Sequence, residues 1–151
     1  QFNVCDEKVY LSPVLDLFNN EVVSYSISTS PNLEQVREML NGLFAKLPAD
    51  ATPIFHSDQG WQYQHAEYQR LLTEHNIIQS MSRKGNCMDN GAMENFFGRL
   101  KVEMFYGEKF ESVNAFIDEL KHYIDYYNNE RISLKLKGMS PVQYRTHSQT
   151  I

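Results

Sequence analysis

Asp58 and Glu94 are the two carboxylates of this chain whose placement could do chemistry. In "IFHSDQGWQY" (54–63), four residues of strand character run into Ser57-Asp58, and Gly60, Trp61 and Tyr63 follow. Strand ends that hand over to loops are where α/β proteins keep ligands and catalytic groups. Glu94 opens a helical stretch just after "SRKGNCMDNG" (82–91), which holds two glycines and two asparagines and has no periodicity. An acid at a strand end, a loop, and an acid in the first turn of a late helix can bring two carboxylates to one divalent ion. Singly, each has a plainer role: Asp58 starts a turn through bonds to its own backbone, and Glu94 complements the helix dipole.

Lys101 lies seven residues after Glu94, nearly two helical turns, so the two share a line along the helix. The apolar stripe Met93, Phe96, Phe97, Leu100 and Met104 clusters on one face at about 100° per residue. The Glu94–Lys101 line falls at the edge of that face, beside a cleft rather than opposite it. Lys101 alone is equally a surface lysine laid along apolar neighbours. His56, two before Asp58, shares its side of the strand if the strand persists, as an outer partner of the acid or as a structural histidine. Trp61 and Tyr63 either stack on a base or pack over their loop.

The elements that must position these groups follow from pattern. Lys8–Phe18 and Glu21–Ser28 form a β-hairpin about Asn19-Asn20, since asparagine tolerates the positive φ of tight turns. Phe2–Val4 ends an earlier strand, which Asp6-Glu7 turns into the hairpin. Ser30-Pro31 starts a helix whose Val36, Met39, Leu40, Leu43, Phe44 and Leu47 recur at helical spacing up to Pro48. A short strand over Thr52–His56, a helix over Ala66–His75 and a strand over Ile77–Met81 come next. Helices follow over Ala92–Phe105 and from a Ser112 cap through Tyr127. From Asn128 the tail reads as irregular and basic, with Arg131, Lys135, Lys137 and Arg145. The order predicts one α/β domain over residues 1–151, a mixed sheet with helices on its faces.

The totals suit a soluble globular domain: 151 residues, 42% hydrophobic and 22% charged. The net charge of −5 argues against a dedicated DNA-binding module. No apolar run is long enough to span a bilayer, and Cys5 and Cys87 lack metal-ligand spacing, which points to a reducing, cytoplasmic setting. No phosphate-cradling glycine loop precedes a helix, so a nucleotide cofactor is not expected.

Asp58, thirty-five intervening residues, Glu94, six more and then Lys101 resemble the D-D-35-E signature of transposases and retroviral integrases. "YLSPVLDLFNNEVVSY" (10–25), "HSDQGWQY" (56–63), "SRKGNCMDNGAMENFFGRLKVE" (82–103) and "YNNERISLKLKGMSPVQYR" (127–145) resemble the catalytic core of bacterial insertion-sequence transposases encoded by two overlapping frames. The resemblance implies a ribonuclease H-like fold with a five-stranded mixed sheet, and cleavage and joining of DNA ends. It implies Mg²⁺ or Mn²⁺ at Asp58 and Glu94, for which hard carboxylate oxygens are suited. It further implies DNA contacts from Lys101, Arg83, Lys84 and Asn90, a homo-oligomer in the active complex, action at the bacterial nucleoid, and no membrane. The family's first acid stands in a Thr-Asp-x-Thr motif just upstream of a stretch like "QFNV", and this chain opens at Gln1. Neither Asp6 nor Asp16 matches that position, so a fragment with a shortened first strand and no robust catalysis is expected. Another ribonuclease H-like nuclease, or a non-catalytic DNA- or partner-binding module, are the competing readings.

Overall fold

A computed structural model describes residues 1–16, 19–30, 33–46, 54–57, 66–75, 78–81 and 91–149. Strands β1 (Phe2–Val4), β2 (Glu7–Leu15) and β3 (Val22–Ser28) form an antiparallel sheet in the order β1-β2-β3. Val4 pairs with Glu7, so β1 and β2 are joined by Cys5 and Asp6 alone, at φ 50° and 63°. Two successive left-handed residues give the hairpin turn whose twist matches the strands. Cysteine is a costly residue there, and its Sγ donates to the Phe110 carbonyl at 3.3 Å. The second hairpin turns as its asparagines predict: Asn20 sits at φ 61°, and its N–H donates to Asp16 O at 2.6 Å. Asp16 thus serves the hairpin.

Helix α1 (Leu33–Phe44) covers one face of this sheet, burying Met39, Leu40 and Leu43 with Val14 and with Leu72 of α2 (Ala66–Glu74). Serine hydroxyls on β3 bring the layers close: Ser24 donates to Met39 O at 2.6 Å, and Ser26 to Gln35 O at 2.8 Å. A Cβ at Gly42 would stand 2.5 Å from Ser24 Oγ. Alanine gains about 1 kcal/mol over glycine in a helix interior, but overpacking costs about 1–3 kcal/mol. Gly42→Ala is therefore expected to lower the urea midpoint, and Ser24→Ala in the same chain to remove that loss. A stabilised Gly42→Ala single variant would mean that α1 does not sit this close.

The larger cluster lies on the other face. Phe2, Val4, Val9, Leu11 and Val22 of the sheet are buried against Phe96 and Leu100 of α3 (Gly91–Leu100) and five residues of α4 (Val113–Asn129). Ser112 caps α4, accepting the Ala115 N–H at 3.1 Å. A register shift at Val14/Leu15 lets Val22 join this cluster while Val23 packs on the other side. The start of β3's outer edge is covered: Asn128 accepts from Val22 N–H at 2.9 Å and donates to its carbonyl at 3.0 Å, and Lys46 Nζ donates to Val23 O.

Strands β4 (Ile54–Ser57) and β5 (Ile78–Met81) form a parallel pair, so the described residues show a three-stranded and a two-stranded sheet. Two expectations change. The helix expected to reach Phe105 ends at Leu100 and continues as a π-type turn over Lys101–Phe105, closed by Tyr106 N–H to Lys101 O at 2.7 Å. The tail read as irregular from Asn128 holds a 3-10 turn at Leu134–Leu136 and helix α5 (Pro141–Gln149). Ser140 and Gln143 make a reciprocal capping box there, at 3.0 and 3.3 Å, with proline at the first helical position. No helix among the described residues is long and apolar enough to cross a membrane.

Candidate functional site

The parallel pair fixes one end of the site. Ser57 and Met81 are register partners at the carboxyl ends of β4 and β5. Both strands therefore end at the same edge of the pair, the end at which open α/β sheets hold their ligands. Asp58 itself lies outside the described residues, as do Arg83, Lys84, Asn86 and Asn90, Trp61 and Tyr63, and the side chain of His56.

Helix α3 supplies the other end. Phe96 and Leu100 are 1% and 0% exposed and fix its rotation, which leaves Glu94 exposed in the first turn. The Glu94 carboxylate makes no hydrogen bond or ion pair to any described residue, unlike those of Glu21 and Glu103, which pair with Arg145 and Arg131. Lys101 is half-buried, its Nζ 5.9 Å from the centroid of the Phe2 ring. Phe2 in turn lies 6.4 Å from Phe97 and 5.1 Å from Phe105. The start of β1 is thus packed on α3, which carries Glu94, and on the π-type turn that opens with Lys101. Among the described residues no three His, Cys, Asp or Glu side chains gather as a metal cluster.

Sequence reasoning missed a second polar centre. Glu103, in the π-type turn, receives Arg131 through Nε at 2.8 and 3.0 Å and through Nη2 at 2.6 Å, and receives the Tyr123 hydroxyl at 3.0 Å. The Arg131 guanidinium holds the Glu103 carboxyl below its usual range against the opposing effect of burial. Burial, followed by the Glu103 charge, pushes the Tyr123 phenol well above its ordinary value. The arrangement locks the end of α3 to the end of α4. Nothing local announces it, since twenty-eight residues separate the partners.

Two models, both described as an integrase core domain, match residues 1–87 and 94–148. The chain belongs to the integrase core family. An uncharacterised transposase-like protein of Haemophilus influenzae is 55% identical over 98% of this chain and 68% of its own length. The InsK protein assigned as transposase of insertion element IS150 in Escherichia coli K12 is 53% identical, over 98% of this chain and 52% of its own. The transposase InsF of IS3A, also from Escherichia coli K12, is 36% identical over 90% and 48%. The integrase core described here therefore spans about two thirds of the first relative and about half of the other two.

Solved structures share the fold of this integrase core. The catalytic core of BIV integrase superposes with a TM-score of 0.64 at 15% identity, covering 99% of this chain and 91% of that one. The HTLV-2 integrase core in complex with magnesium, in its trimeric form, gives 0.59 at 15% over 95% and 88%. The family match and the relatives agree with the resemblance carried by the four sequence blocks, and the solved structures agree with the fold it implies.

Proposed function

We propose that this integrase core is the catalytic core of a bacterial insertion-sequence transposase that cleaves and joins DNA ends. In this reading Asp58 and Glu94 hold Mg²⁺ or Mn²⁺. The reading is supported by the common end of β4 and β5 at Ser57 and Met81, one residue before Asp58 and before residue 82 in sequence, and by a Glu94 carboxylate left unpaired on α3 among the described residues. Carboxylate oxygens without internal partners suit a hard cation. When bound, such ions lower the barrier to in-line attack on phosphorus.

The chain's own groups do the rest. Asp58 and Glu94 supply negative charge whose mutual repulsion a cation relieves. Lys101, held over Phe2, presents its ammonium to a phosphate, and Arg83, Lys84 and Asn90 meet the DNA backbone from the loop. The two sheets join in the five-stranded mixed arrangement of the ribonuclease H-like fold, and active complexes form from several copies at the nucleoid.

Calorimetric titration of Mn²⁺ and of Mg²⁺ into the chain, against Glu94→Gln and Asp58→Asn, tests the assignment. A weak saturable heat that either substitution removes is the expected result. Identical heats from all three proteins would leave a non-catalytic module as the better reading. A strand-transfer assay of a full-length relative on pre-cut ends separates joining from simple hydrolysis.

A further inference from the structure

The turn that follows α4 is braced on itself. Ser133 N–H donates to Met139 O at 3.1 Å, and Ser133 O accepts from Leu136 at 3.0 Å and Gly138 at 2.9 Å. Leu134 O accepts from Lys137 at 3.1 Å, and Leu136 O from Met139 at 3.1 Å. Leu136 anchors the turn inside at 7% exposure, while Leu134 is 97% and Ile132 65% exposed. Lys135 and Lys137 are exposed beside them. Lys137 sits at φ 57°, a left-handed conformation in which glycine would meet no steric penalty.

Single exposed apolar residues need no explanation. Two of them with two lysines on a braced frame, in a chain of net charge −5, are a different matter. The Glu103–Arg131 pair ties this turn to the end of α3, nine residues beyond Glu94, or about 13 Å at helical rise. Phosphates match the lysines and a groove or base step matches the leucine, a combination that duplex DNA offers.

We propose that the Ser133–Met139 turn is a DNA-docking element, in which Lys135 and Lys137 meet phosphates and Leu134 packs into the groove of the duplex that flanks the reaction centre. The inference rests on the transposase reading for its substrate and adds an element outside the carboxylate site.

The test is fluorescence anisotropy of a labelled duplex across a salt series, with a second duplex carrying 2-aminopurine. For Lys135→Gln/Lys137→Gln the slope of log K against log salt is expected to fall by about 2, and for Lys137→Gly by about 1. Lys137→Gly also relieves the left-handed backbone, so it loses salt dependence while unfolding at higher urea. Leu134→Ser is expected to keep the slope and to abolish the rise in 2-aminopurine emission. Unchanged slopes in both lysine variants, or no duplex binding by the wild-type chain, overturn the proposal. So does a Leu134→Ser variant that changes the sedimentation coefficient but not DNA binding, since the turn is then a contact between copies. Loss of slope together with silent metal titrations keeps the turn and removes the carboxylate site, so the two failures are distinguishable.

Discussion

Phe2→Ala is expected to cost about 3–5 kcal/mol of stability, the range for removing a buried phenylalanine ring. A domain of this size has about 5–15 kcal/mol in all, so the urea midpoint should fall by roughly a fifth or more. Phe2 is 1% exposed, and its ring lies 5.3 Å from Phe116, 5.1 Å from Phe105 and 6.4 Å from Phe97. Removing it leaves a cavity among three rings that cannot all move inward, because Phe116 is also held against Phe110 at 4.9 Å. The strand has little else to hold it, with three pairing positions on β2. Phe2→Leu, which keeps most of the volume, should cost about 1.5 kcal/mol or less. Hydrogen exchange at Val4 sharpens the test. If β1 is fastened to α3 mainly through this ring, the Val4 amide loses protection more than the amides of α4 do. A midpoint within experimental error of wild type would mean that β1 is not fastened to α3 and the π-type turn after it.

Much of this architecture was legible because it rests on local chemistry. Asn20 takes the left-handed turn position that asparagine tolerates, Ser112 caps α4, and the spacing of Phe96 and Leu100 puts both at the core. The missed features depend on groups far apart in sequence. Asn19, a turn residue by type, is fully buried because the Pro141 carbonyl accepts its amide at 2.9 Å and Arg145 covers the neighbouring Glu21. Helix α5 has weak apolar periodicity, yet "SPVQ" (140–143) carried its start signal as a capping box. The π-type turn at Lys101 left no pattern to read, since an added residue in the last turn changes neither composition nor stripe. At the candidate site, helical spacing singled out Glu94 and Lys101 and a strand end singled out Asp58; the rotation of α3 that leaves Glu94 exposed follows from the burial of Phe96 and Leu100, which the same spacing carried.

Arg131→Ala is expected to destabilise the chain by about 2 kcal/mol at neutral pH. Breaking a fully buried pair costs about 3–5 kcal/mol. Here the Arg131 and Glu103 side chains are 22% and 30% exposed, and solvent reduces the figure. The pH dependence carries the sharper signature. Glu103 is held below its usual range chiefly by the hydrogen-bonded guanidinium of Arg131. A carboxylate with a depressed folded-state value stabilises fully above its unfolded value, about 4.3, and loses that contribution as pH falls through the folded value. The gap between wild type and Arg131→Ala should therefore be widest near neutrality and narrow below about pH 4.3. Arg131→Lys should recover only part of the loss, because one ammonium cannot reproduce the three guanidinium contacts. Urea unfolding of the three proteins from pH 3 to 7 reads both effects, and a gap that does not change with pH would show that another group faces Arg131.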